Sequence, residues 1–352
     1  MLHVITGTAR RGAETFAVDL AEALAERGRS GRTVALTGDS APGGLPVDVL
    51  GDRPLGTRTL RALRKEASRA NVVVAHGSSA VVACAIATLG TRTSFVYRNI
   101  GDPSFWLDTP RRRRQMRWIL SRASATVALW DSSATQLRAL GGRAIEIIPT
   151  GVPSRLFPPI EPEERWLARE HLGLDPSAPV AVYVGSLSGE KNVGVAVSAI
   201  ASIDGATLLL VGDGPDRASL EELAARAAPG RIRFIGTRGR PREELAAADV
   251  LVLPSKTEGI PAVLIEAAFS ELPVVASDVG GIPQIVAHGR TGYLVPPGDS
   301  PALAGAVREA MAAGRAMGRV AREHCTERFE IAPVADAWES LLAGLGAWSE
   351  RR

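Results

Sequence analysis

Two glutamates, Glu258 and Glu266, stand with seven residues between them in a segment running from Leu253-Pro254-Ser255 to Glu266-Ala267. The residues before it, Val250–Leu253, are continuously apolar and read as a buried strand. Pro261 is favoured at the start of a helix, so a helix opens near it. A helix N-terminus offers unpaired N–H groups and the positive end of a dipole, a setting suited to a diphosphate. Glu258 lies just before that helix and can face a ligand. Glu266 lies inside it, more than a turn further on, so the two carboxylates need not touch the same part of a ligand. A carboxylate is a good acceptor for sugar hydroxyls. Taken singly, each glutamate reads better as a solvated or locally satisfied acid.

The elements that must position these groups repeat one rhythm: a short Val/Ile/Leu-rich run, a Gly- or Pro-containing turn, then an Ala/Leu/Glu/Arg helix. Strands are expected at Leu2–Ile5, Thr33–Leu36, Val72–Ala75, Thr93–Tyr97, Ala125–Ala128 and Glu146–Ile148, with helices such as Thr15–Arg27 and Arg58–Ala70 between them. The rhythm pauses around Pro153, Pro158, Pro159 and Pro162, which argue against helix or central strand and mark an interdomain linker. After a helix near Glu163–Leu172 it restarts, with strands at Val180–Val184, Thr207–Val211, Ile232–Ile235, Val250–Leu253, Val274–Ala276 and Tyr293–Val295. Continuous apolar strands alternating with helices predict parallel sheets covered on both faces. The fold class is therefore α/β, with two Rossmann-like doubly wound halves over about residues 1–155 and 165–330. Ligands of such sheets bind beyond the carboxyl ends of the strands.

Composition narrows the classes. The 352 residues suffice for about two domains, and a net charge of +3 is small for that length. Cys84 and Cys325 lie far apart with no CxxC spacing, giving neither a disulfide framework nor a metal site, which suits a reducing cytoplasm. The opening Met1–Gly7 reads as a strand and not as a signal peptide. The longest apolar stretch, Asn71–Leu89, is interrupted by His76, Gly77, Ser78 and Ser79, a strand–turn–helix pattern unlike a membrane span.

The spacing of Glu258 and Glu266, followed by Leu272-Pro273-Val274-Val275-Ala276-Ser277-Asp278-Val279-Gly280-Gly281-Ile282-Pro283 and by Gly289-Arg290-Thr291-Gly292-Tyr293-Leu294-Val295-Pro296-Pro297-Gly298-Asp299, closely resembles the signature of family 4 glycosyltransferases of the GT-B fold. Tyr183–Asn192 is similar to that family's phosphate-binding segment. Val211–Pro215, Phe234-Ile235-Gly236, Ile148–Val152 and Gly12–Thr15 also fit. The likeness covers nearly the whole chain; it is strong over Val180–Asp299 and looser before Ile145.

The resemblance implies two Rossmann-like domains facing a central cleft, with a C-terminal helix, about 335–352, packing back on the first domain. It implies retaining transfer of a sugar from a UDP- or GDP-sugar to an acceptor hydroxyl, without cofactor or metal; no DxD motif at a strand end suggests a metal-dependent enzyme. Glu258 would contact donor-sugar hydroxyls and Glu266 the ribose. Lys191 would hold the diphosphate and offset charge on the leaving group. Backbone N–H groups of Gly259, Ile260, Ala262 and Val263 would complete the phosphate site, with Ser186 and Gly236 on neighbouring loops. Gly12 would let the first-domain loop approach the diphosphate.

Two positions depart from the family pattern. Ser186 stands where an arginine commonly follows Gly185. Arg98 stands where many members carry a histidine touching the donor sugar. Arg98 reads two ways: as the replacement cation for phosphate, or as a partner of Asp102 or another acid that only shapes the loop. His76, after an apolar strand, is expected to point into the cleft near acceptor or sugar, with a structural strand-end histidine as an equal reading.

The basic run Arg111–Arg117 reads first as a solvated helix face preceding a buried Trp118-Ile119-Leu120 segment, and second as a contact for anionic lipid or an acidic acceptor. Nucleic acid is not an expected partner, because no aromatic interleaving accompanies the run. The acceptor itself, whether lipid-linked sugar, polysaccharide or small molecule, stays open, and the expected location is the cytoplasm or the inner membrane face. Rival functions are a sugar-nucleotide epimerase or hydrolase on the same fold and a non-catalytic nucleotide-sugar-binding protein. A dinucleotide oxidoreductase ranks lower, since Thr6-Gly7-Thr8-Ala9-Arg10-Arg11-Gly12 is no GxGxxG fingerprint.

Overall fold

A computed structural model describes residues 1–39 and 43–349. The chain divides into two compact units, Met1–Pro153 with Phe329–Arg352, and Ser154–Arg328.

In the first unit the strands are β1 (Leu2–Ile5), β2 (Arg32–Thr37), β3 (Asp48–Gly51), β4 (Val72–His76), β5 (Ser94–Arg98), β6 (Ala125–Ala128) and β7 (Ile145–Ile147). They form one sheet in the order β3-β2-β1-β4-β5-β6-β7, every pair parallel. The strand order reverses between β1 and β4. One face of the sheet packs on the helices Thr57–Ala67, Ser78–Ala87 and Pro110–Arg122 through Leu63, Val81, Phe95, Ile119 and Leu120. The other face packs on the helices Gly12–Ala25 and Ile331–Gly344, which meet Val72, Val74, Val96 and Val127 with Phe16, Leu20, Trp338 and Leu342. Parallel strands buried on both faces must be apolar throughout, which is why β1, β4 and β6 carry so few polar residues.

β3 escaped the sequence reading. It is a four-residue edge strand, half-exposed along its length, so it lacks the buried apolar run that marks the others. The helix Ile331–Gly344 brings the end of the chain back to the first unit. The Ile331 N–H donates to the Val152 carbonyl and the Val152 N–H to the Phe329 carbonyl, Arg27 pairs with Asp336 at 3.0 Å, and Arg29 with Glu339 at 2.6 Å.

In the second unit the strands are β8 (Val180–Val184), β9 (Thr207–Val211), β10 (Ile232–Gly236), β11 (Val250–Leu253), β12 (Val274–Ser277) and β13 (Tyr293–Val295). They form a parallel sheet in the order β10-β9-β8-β11-β12-β13, with the reversal between β8 and β11. The proline-rich stretch expected as a linker is packed into this unit. Phe157 and Ile160 are buried, the Ile160 N–H donates to the Ser270 carbonyl, and Arg242 donates to the Pro158 carbonyl. Among the described residues no helix is long and apolar enough to cross a membrane.

Candidate functional site

The reversal point of a doubly wound sheet opens a crevice, because the loops leaving the two central strands turn to opposite faces. In the second unit those loops are 185–192 after β8 and 254–261 after β11. They are stitched together where the Lys256 N–H donates to the Glu190 carbonyl at 2.8 Å. The Lys191 N–H donates to the Ser188 carbonyl, and Asn192 takes a left-handed conformation (φ 53°) before the helix Val193–Ala201 begins. This turn delivers the Lys191 ammonium to Glu258, with Nζ 2.7 Å from Oε1. Ser255 Oγ donates to the same oxygen at 2.6 Å. Glu258 is 9% exposed, so its charge is matched by a cation and a hydroxyl and not by bulk water.

Two further loops press on these from the neighbouring strands. Gly280, after β12, has φ +56°, and a Cβ there would lie 1.9 Å from the Glu258 carbonyl oxygen. Gly212, after β9, has φ +133°, and a Cβ there would lie 1.9 Å from the Gly185 carbonyl oxygen. The Gly281 N–H donates to the Gly259 carbonyl and the Gly212 N–H to the Gly236 carbonyl. Backbone packed on backbone thus sets the height of both central loops.

The helix Ala262–Phe269 starts after Pro261 with no side-chain cap. Ala262 and Val263 are half-buried in its first turn, while Gly259 and Ile260 are buried in the loop before it. Glu266 is half-buried one turn on. Ser186 is exposed, its Oγ 3.1 Å from Ser188 Oγ, and its carbonyl accepts from Tyr183 Oη at 2.8 Å. Burial, with Glu258 and Glu190 nearby, pushes the Tyr183 phenol well above its ordinary range and keeps it a donor.

In the first unit the structure corrects two readings. His76 does not point into an open space: it is fully buried, its Nε2 2.9 Å from His3 Nδ1, with Trp338 stacked at 6.2 Å. As the last residue of β4 it shares the sheet face covered by the helices Gly12–Ala25 and Ile331–Gly344, and this burial holds it well below the ordinary histidine range. Arg98 does not pair with Asp102, whose carboxylate instead accepts from the Ser104 N–H and hydroxyl. Arg98 is 1% exposed; its guanidinium carbon lies 3.9 Å above the Phe16 ring and one terminal nitrogen donates to Thr150 Oγ1 at 2.8 Å. Burial lowers it to about 9 against the opposing influence of Glu14. Gly12 opens the helix Gly12–Ala25, and among the described residues nothing beyond its chain neighbours and its own helix backbone lies within 4 Å of where its Cβ would stand. The expectation of a buried Trp118 is also corrected: Ile119 and Leu120 are buried, but Trp118 is 39% exposed.

Two family models divide the chain between them. The one described as Glycosyltransferase Family 4 matches residues 10–155, and the one described as Glycosyl transferases group 1 matches residues 178–313. The chain belongs to the family 4 glycosyltransferases.

Similar proteins include N-acetyl-alpha-D-glucosaminyl L-malate synthase of Bacillus anthracis, 31% identical over 49% of this chain and 47% of that protein. D-inositol 3-phosphate glycosyltransferase of Jonesia denitrificans is 32% identical over 54% of this chain and 50% of its own length. The chain spans about half the length of the curated relatives it matches. Among solved structures, HepE of Anabaena in complex with UDP-glucose superposes with a TM-score of 0.87 at 24% identity, covering 97% of this chain and 99% of that one. Sucrose-phosphate synthase of Thermosynechococcus elongatus gives 0.81 at 23%, covering 99% of each. These likenesses establish the GT-B fold.

Within this family 4 chain, Lys191, Glu258, Gly259, Ile260, Ala262, Val263 and Glu266 all lie on or directly after the two loops at the β8/β11 reversal. Ser186 lies on the first of these loops, and Gly236 ends the edge strand two removed from it. Gly12, His76 and Arg98 belong to the first unit. Sequence reasoning missed Ser255, although a hydroxyl three residues before Glu258 was in view. It also missed Glu14, Phe16 and Trp338, whose proximity to Arg98 and His76 no local pattern announces.

Proposed function

We propose that this chain transfers a sugar from a nucleotide-diphosphate sugar, with UDP or GDP as the nucleotide, to an acceptor hydroxyl with retention of configuration. The observation that carries this reading is the Lys191–Glu258 ion pair, 2.7 Å long, at the reversal point of the second sheet and beside an uncapped helix start. An ammonium and carboxylate there would serve fold stability poorly, since the desolvation penalty of a largely buried ion pair can offset its Coulombic gain. They suit a ligand that carries both phosphate and hydroxyl groups. The diphosphate takes Lys191 and the N–H groups at the start of the helix Ala262–Phe269. Glu258, held by Ser255, accepts from the sugar hydroxyls, and Glu266 accepts from the ribose.

In the reaction the bond between the anomeric carbon and the diphosphate oxygen breaks, and the acceptor oxygen bonds to that carbon on the face the diphosphate leaves. The acceptor proton passes to the departing diphosphate. Lys191 and the helix N-terminus stabilise the charge that grows on the leaving group, so no metal is required. The reading is supported by the glycosyltransferase and synthase names of the relatives and by the UDP-glucose held in the HepE structure.

The test is a transfer assay across UDP-, GDP- and ADP-sugars, preceded by a thermal-shift screen of the free nucleotides. Glu258→Ala is expected to lower transfer by roughly a hundredfold or more while nucleoside-diphosphate affinity stays within a few-fold. Full turnover in that variant overturns the assignment. Epimer formed from donor without acceptor would show an epimerase instead.

A further inference from the structure

The helix Pro110–Arg122 carries arginine at 111, 112, 113, 114, 117 and 122, and no acidic residue. Four of these crowd its N-terminal end, where the helix dipole disfavours cations. Arg112 pairs with Asp108 at 2.7 Å and Arg113 donates to the Leu107 carbonyl at 2.8 Å. Among the described residues Arg111, Arg114, Arg117 and Arg122 have no acidic partner within the chain. Arg111, Arg114, Gln115 and Trp118 follow one another at helical spacing and line a single surface hollow of about 430 Å³. Trp118 is 39% exposed there, although Ile119 and Leu120 beside it are buried. Just upstream, Phe105 and Trp106 are 42% and 44% exposed.

Arg111 and Arg114 oppose the helix dipole without an acidic partner among the described residues, and Trp118 keeps 39% of its surface exposed, so packing within the described chain accounts for neither. The arrangement does fit an external surface that is anionic outside and apolar beneath. Guanidinium groups pair with phosphate oxygens bidentately, and indole rings settle at the headgroup level of a bilayer. We infer that this helix face docks the protein on an anionic phospholipid bilayer. A soluble polyanion would engage the arginines but would leave the aromatic rings unexplained. The inference is independent of sugar transfer, because docking is read without turnover.

The test is co-sedimentation of the full chain with vesicles of phosphatidylglycerol mixed into phosphatidylcholine, and with phosphatidylcholine alone. Partition onto the anionic vesicles only, weakening as salt is raised, is expected. Each basic residue near such a surface contributes about fivefold, so R111E/R114E is expected to lower partition at least tenfold. Trp118→Ser is expected to lower vesicle binding several-fold without altering affinity for inorganic polyphosphate. These positions are exposed, so unchanged circular dichroism and thermal midpoint are expected and serve as the folding check. Equal sedimentation with both vesicle types overturns the inference, and so does unchanged partition of R111E/R114E. If Trp118→Ser is without effect while polyphosphate binds as well as vesicles, the face is a polyanion site and the bilayer assignment fails.

Discussion

Glu258 Oε1 accepts from Lys191 Nζ at 2.7 Å and from Ser255 Oγ at 2.6 Å. Both bonds fall on one oxygen, and the proposed function gives the second oxygen to the sugar hydroxyls. In the proposed function Lys191 exchanges Glu258 for a phosphate, while Ser255 keeps its bond to Glu258 and positions the carboxylate. A hydrogen bond to a charged group contributes about 1.5–3 kcal/mol. Ser255→Ala is therefore expected to lower kcat by roughly tenfold or more with nucleotide affinity retained, and Ser255→Thr to restore part of it. Steady-state kinetics decide: a variant that loses thermal stability but keeps kcat has no positioning role there.

Glu14 offers a second prediction at this scale. Burial raises its carboxyl from 4.5 to about 7, with its own backbone N–H, Arg11 and Arg98 opposing and Asp39 reinforcing. The folded state then holds a proton that the unfolded state has released, so stability falls as pH rises from about 4.5 to 7 and levels above. Glu14→Gln removes that slope, and its thermal midpoint is expected to exceed the parent's at pH 8 by more than at pH 5. Parallel midpoint curves for the two proteins would rule this out.

At the scale of elements, the site is a product of four strand ends. Lys191 and Glu258 lie on loops whose strands, β8 and β11, are neighbours in the sheet but nearly seventy residues apart in the chain. Their meeting depends on loops held at fixed height by Gly212 and Gly280, each facing a carbonyl oxygen where no Cβ fits. Gly280→Ala must shift the loop away from the Glu258 carbonyl, and its left-handed backbone adds about 1–2 kcal/mol of strain. A lowered thermal midpoint together with loss of nucleotide-diphosphate binding is expected by calorimetry. Undiminished binding would show that loop height is set elsewhere. Most strands were legible because a strand buried on both faces must be apolar along its length. β3 was not, because a half-exposed edge strand needs no such run.

For the molecule as a whole, the end of the chain returns to the first unit and seals one face of its sheet. Trp338 is fully buried there against Phe16 and His76, at 6.4 and 6.2 Å between ring centres. Trp338→Ala leaves a cavity and is expected to cost about 3–5 kcal/mol. In calorimetry this should split the unfolding transition, with the first unit melting earlier. A single transition at the parent temperature would mean that the helix Ile331–Gly344 contributes little to the unit. Burial also decides His3, whose imidazole is held down at about 3 beside His76.

The sequence by itself determined the two parallel-sheet units, the family, and the residues gathered at the β8/β11 reversal. These follow from periodicity and from short motifs, which are local and survive without coordinates. Only the tertiary structure decided which way individual side chains face. His76 lies under the helix Ile331–Gly344, Arg98 rests on Phe16 and bonds Thr150, Trp118 is 39% exposed, and Ser255 donates to Glu258. The reason is that burial and hydrogen bonding are settled by partners distant in the chain. Arg98 and Thr150 are 52 residues apart and His3 and His76 are 73; no local spacing encodes either contact.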